Sequence, residues 1–135
     1  MVDGYLDGGA GGDGYDSVLA VSGNVWAESA YFRSCVTLVC NTLEVATVIM
    51  CAYGDEGGSL WVDSVRAQVF HYSTYFSKPA CPIDAFCVGD VSGERSFPPE
   101  RGVEVFITEV LDGGQLKERV AEKWLAAGKS IVRTT

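Results

Sequence analysis

A single stretch of this sequence has helical spacing, while the other apolar runs have strand spacing. In QLKERVAEKWLAAG, Gln115 to Gly128, residues Leu116, Val120 and Trp124 recur every fourth position with Ala121 and Leu125 beside them. That draws an apolar stripe down one side of a helix. Lys117, Glu118, Arg119, Glu122 and Lys123 take the wet side, and Gly128 supplies a C-terminal stop. The spacing predicts one helix over 115–127. Elsewhere β-branched residues alternate with polar or small ones. The runs are SVLAVSGNVW (17–26), SCVTLVCNT (34–42), VATVIMCAY (45–53), SLWVDSVRAQVFHY (59–72), VEVFITEV (103–110) and the closing KSIVRTT. The expectation is an all-β domain with one helix.

A chain of 135 residues, 47% of them hydrophobic, is long enough for one domain with a real core. Residues 1–15 hold GGAGGDG and a series of aspartates, too glycine-rich and acidic to bury, and read as a flexible lead-in. Residues 16–135 form the domain. The short Ala27–Phe32 link implies that the first two strands pair antiparallel. The GDEGG turn between the runs at 45–53 and 59–72 implies a hairpin. Residues 73–102 hold all four prolines and read as an irregular excursion with at most one short strand near Ala85 to Val88.

Composition narrows the function. The formal charge is −8, yet residues 1–110 carry fifteen acids against five bases and residues 111–135 three against five. Nucleic-acid binding draws most of its affinity from Lys and Arg on phosphates, so the acidic body favours a protein partner. The five cysteines are odd in number and lack a C-x-x-C pair, which implies reduced thiols and a reducing, intracellular setting. His71, the only histidine, has no second ligand near it, so neither a metal nor another cofactor is expected. No apolar window spans a membrane, and no secretory signal is visible.

Catalytic motifs fail on their context. AAGKS, Ala126 to Ser130, resembles the tail of a phosphate loop, but Lys123 stands where the first glycine is needed and the loop follows its helix instead of preceding it. His71 has no nucleophile elbow or cysteine signature beside it. The expectation is a protein that is not an enzyme. The aromatic residues are the binding candidates, because single strands stack bases on exposed rings with arginines nearby. Trp26, Tyr31, Phe32 and Arg33 cluster early, Trp61, Arg66 and Tyr72 in the middle, and Phe106 late.

Two blocks carry a family resemblance. Ser22-Gly23-Asn24-Val25 after an apolar run, followed by Ser34 to Asn41, resembles the opening strands of the single-stranded-DNA-binding protein family. Val103 to Thr135, with Leu116, the run Glu118-Arg119-Val120-Ala121-Glu122 and a glycine-lysine step into a last strand, is similar to that family's strand, helix and strand. The resemblance implies an OB-fold, a five-stranded Greek-key barrel, with a long β-hairpin insert at 43–102 between strands two and three. It leaves the fifth strand to another segment or molecule, and the strand-four edge with Ile131, Val132 and Arg133 as a partner interface. A long insert in an acidic, cysteine-containing domain resembles the OB-fold accessory proteins of kinetoplastid RNA-editing complexes (editosomes), which bind one another and RNA in the mitochondrion. The resemblance thus implies a non-catalytic module for protein–protein assembly, a homo- or hetero-oligomer with single-stranded RNA as a second partner. A stand-alone single-stranded DNA- or RNA-binding protein is the alternative.

Overall fold

The computed structural model describes residues 4–7, 18–32, 36–51, 58–72, 76–77, 80–89, 96–97 and 99–134. In chain order the strands are β1 (Tyr5–Asp7), β2 (Val18–Val21), β3 (Val25–Ala27), β4 (Ser29–Phe32), β5 (Val36–Val45), β6 (Val48–Cys51), β7 (Gly58–Tyr72), β8 (Phe76–Ser77), β9 (Ile83–Gly89) and β10 (Ser96–Phe97). Two 3-10 turns follow, Pro99–Glu104 and Thr108–Val110, then β11 (Leu111–Asp112), β12 (Gln115–Leu116) and the helix α1 (Glu118–Ala126). The molecule is thus mostly β with one helix, and no described helix is long and apolar enough to cross a membrane.

β1 to β10 form one sheet in which each described pairing is parallel. Ser29 lies opposite Tyr5, Ile49 opposite Ala30, Phe70 opposite Ile49 and Cys87 opposite Phe70. The chain therefore comes back to the same face once per turn of a coil, each turn a rung stacked on the one before. The long strands bend around corners. β5 shifts register against β7 between Val39 and Thr42, and β7 against β9 between Arg66 and Val69. At the first of these corners in the earlier rung sits Gly23, with φ +107, a conformation that side-chain-bearing residues avoid.

Three faces result. A covered face holds β1, β4, β6 and the ends of β7 and β9. An apolar face holds β2 and the starts of β5 and β7. A polar face holds β3, the end of β5, the middle of β7 and the start of β9. Inward side chains from all three meet in one core, with Val39 and Leu60 from the apolar face, Leu43 and Val65 from the polar face, and Phe32, Ile49, Cys51, Phe70 and Cys87 from the covered face. Each large side chain sealed there contributes roughly 1.5–3 kcal/mol.

The covered face explains its own sequence. SAYF, VIMC and VFHY are apolar or aromatic on both sides because both sides are buried, as in other sandwiched parallel strands. Inside lies the coil core. Outside, Tyr31, Met50 and Val88 pack under Phe106, Val110, Ala121, Leu125 and Ile131 of the C-terminal unit. That unit ends its helix on Gly128 (φ +76), whose N–H donates to the Leu125 carbonyl at 2.9 Å while Lys129 N–H donates to that of Trp124 at 2.9 Å.

Several expectations change. The runs at 17–26 and 34–42 do pair, but parallel, because the Ala27–Phe32 link carries the chain through β3 and β4 around the coil instead of turning back. β6 and β7 also pair parallel, so the insert is a succession of rungs and not a hairpin. An OB barrel is built on antiparallel neighbours, so the expected Greek-key barrel gives way to this coil. Tyr5–Asp7, within the expected lead-in, forms β1, and the strand expected near 85–88 extends over Ile83–Gly89. The run 103–110 is built largely of 3-10 turns. It meets the last segment antiparallel through the Phe106–Val132 bridge, with Ile107 N–H donating to Ile131 O at 2.9 Å and Arg133 N–H to Val105 O at 2.8 Å. The helix lies within its expected span.

Candidate binding faces

With the covered face closed by the C-terminal unit, the outer sides of the other two faces are open to solvent. On the apolar face the register sets Ala20 beside Leu38 and Leu38 beside Trp61. Thr37, Val39 and Leu60, their neighbours in sequence, point inward and are buried, so strand alternation throws this column outward. Leu38 is 39% exposed and Trp61 63%. Trp61 Nε1 donates to Ser59 Oγ at 3.3 Å, which steadies the indole on the surface.

On the polar face, Val25, Leu43, Val65 and Ile83 stand in register, the first three buried in the core. The residues after them, Trp26, Glu44, Arg66 and Asp84, make an outward column one per rung. The residues before them, Asn24, Thr42, Ser64 and Pro82, make a second. Rungs are spaced by about 4.8 Å. Asn24 Oδ1 accepts a hydrogen bond from Thr42 N–H at 3.1 Å, and the hydroxyls of Thr42 and Ser64 lie 2.9 Å apart. Arg66 Nε lies 3.9 Å from Asp84 Oδ2, with the two side chains 67% and 73% exposed. So exposed a pair contributes at most about 1 kcal/mol to stability, and both groups remain open to a ligand. The two columns border an open groove of about 440 Å³.

The candidates from sequence divide sharply. Trp26 and Arg66 share the groove, and Trp61 stands on the adjoining face. Tyr31, Phe32, Tyr72 and Phe106 are buried, and a ring enclosed in the core has no face to offer a base, which corrects their expected role. Arg33 lies outside the described residues. Ile131 is fully buried in the C-terminal unit instead of lining an exposed edge, because it packs with Phe106 and Leu125. Val132 is half-buried, and Arg133 donates from Nε to the Phe106 carbonyl at 2.7 Å, tying the unit to itself.

Sequence reasoning missed Leu38, Glu44 and Asp84, together with Asn24, Thr42 and Ser64. A signal for them exists. The tetrads NVWA, TLEV, SVRA and PIDA, starting at Asn24, Thr42, Ser64 and Pro82, repeat one pattern of small polar residue or proline, inward aliphatic, outward side chain and small or aliphatic residue.

Comparison with protein-family models, with curated proteins and with solved structures gave no match.

Proposed function

We propose that this chain is a non-catalytic binding module that assembles with a protein partner through its apolar face. The observation that carries this reading is the column Ala20, Leu38 and Trp61, where most of an indole and much of a leucine stand in water on neighbouring rungs. Contiguous apolar surface of this kind is stabilised when a partner removes it from water, and tryptophan is a favoured anchor of such contacts. A net charge of −8 repels phosphate-rich strands and favours a partner with basic groups around an apolar centre. His71, the sole imidazole of the sequence, is buried beneath Phe106 and out of reach of a solvent-borne substrate, in keeping with a role without catalysis.

An alternating lysine–leucine peptide and oligo-U serve as opposing probes. The peptide is expected to blue-shift the indole emission of the full chain but not of Trp61→Ser, with oligo-U inert at physiological salt. A tight, salt-sensitive oligo-U complex with no response to the peptide would replace the assembly reading with one of single-stranded RNA binding.

A further inference from the structure

The groove on the polar face has a chemistry of its own, separate from the apolar column. One aromatic ring, Trp26, opens a column that continues through Glu44, Arg66 and Asp84, each side chain planar at its polar end. Carboxylates and guanidinium groups bond pairs of neighbouring hydroxyls, and an aromatic face packs against the C–H side of a sugar ring while its edge stays wet. The floor is formed by strands whose backbone groups are taken up by the parallel ladder, so side chains do the recognising.

Charge and spacing select among ligands. Glu44, Arg66 and Asp84 together carry one net negative charge, with Arg66 facing Asp84, which disfavours a polyanion. Recognition groups recur at the rung spacing of about 4.8 Å. An extended peptide crossing the rungs presents same-side residues every ~6.7 Å and falls out of step, and stacked bases at ~3.4 Å do so in the other direction. An extended chain of β-linked pyranose rings advances by close to one rung per ring, and because each ring carries hydroxyls on both edges, a hydroxyl faces every rung although successive rings are flipped. We propose that this groove binds a neutral oligosaccharide running along the coil axis, with Trp26 as the stacking platform and Glu44, Arg66 and Asp84 as hydroxyl partners on successive rungs.

Titration calorimetry of the full chain with cellohexaose and chitohexaose, and with the corresponding disaccharides, tests this. At least one hexasaccharide should bind, about tenfold or more tighter than its disaccharide, since the longer chain meets more rungs. Trp26→Ala and Arg66→Ala should each weaken that binding by about tenfold, while Glu109→Ala, on the C-terminal unit, should leave it unchanged. If Trp26→Ala does not fold, Arg66→Ala, whose side chain is mostly in solvent, carries the test. Absence of binding by both hexasaccharides would overturn the proposal, as would binding that neither substitution weakens. A lysine-rich peptide that binds in their stead, and is weakened by Glu44→Gln, would overturn the oligosaccharide reading and assign the groove to a protein partner.

Discussion

His71 sits on the outer side of β7, in register with Met50 on one side and Val88 on the other, and meets Phe106 edge to face with ring centroids 5.9 Å apart. Its Nδ1 is buried with no hydrogen-bond partner among the described residues, and burial lowers its pKa from 6.5 to about 4. Between those values the unfolded chain takes up a proton that the folded chain refuses. Stability is therefore full above about pH 6.5 and falls on acidification until pH 4, by roughly 3 kcal/mol in all. Unfolding free energies from urea titrations at pH 7 and pH 5 should differ by about 2 kcal/mol from this group, and His71→Leu should remove that part of the difference. An unchanged pH slope in the variant would mean that the imidazole is not held neutral. Phe106→Ala should destabilise by about 3–5 kcal/mol, because the ring is wholly enclosed and its removal leaves a cavity over the same histidine.

At the scale of elements, the helix was legible because its stripe is long and its stop is a glycine. What shifted is its centre, since Ala121 and Leu125 are buried whereas Leu116, Val120 and Trp124 are only partly so, and Lys129 Nζ lies 5.3 Å from the centre of the Trp124 ring. Leu125→Ala should accordingly cost about 2–5 kcal/mol and Trp124→Ala less, as read by chemical denaturation. Strand positions were legible from alternation, but alternation is the same whichever way a neighbour runs, so it could not show that β2 and β5 lie parallel. The two-sided apolar runs SAYF, VIMC and VFHY did carry that information, since strands buried on both faces are the mark of a parallel sheet. Of the candidate site, Trp26, Trp61 and Arg66 could be read from residue type alone. Tyr31 could not be separated from them, because its side of the strand is covered only by the C-terminal unit folding over it, nor could Tyr72, because alternation does not say which side of a strand faces the coil core.

For the whole molecule, the charge of −8 sets a prediction that needs no knowledge of the ligand. Like charges on a compact body repel, and salt screens them over about 10 Å at 0.1 M. The melting temperature should therefore rise between low and physiological salt. A fall would mean that attractive pairs, such as Arg66 with Asp84, outweigh the repulsion. Stacked rungs also make stability a matter of nearest neighbours, as in other coils and repeats.

β7 lies inside that stack, paired with β5 and β6 on one side and with β8 and β9 on the other along most of its length. Each amide in its middle is bonded to a rung on one side, as Val65 N–H is to the Pro82 carbonyl at 3.0 Å, and is walled off by a rung on the other. Hydrogen exchange at Val65 and Phe70 should then be slower than at Trp26 and Leu6, which lie on strands described with a neighbour on one side and exchange through smaller, local openings. One strand in this protein thus carries the measure of how firmly the coil is wound, because its protection factor gives the free energy of freeing that strand.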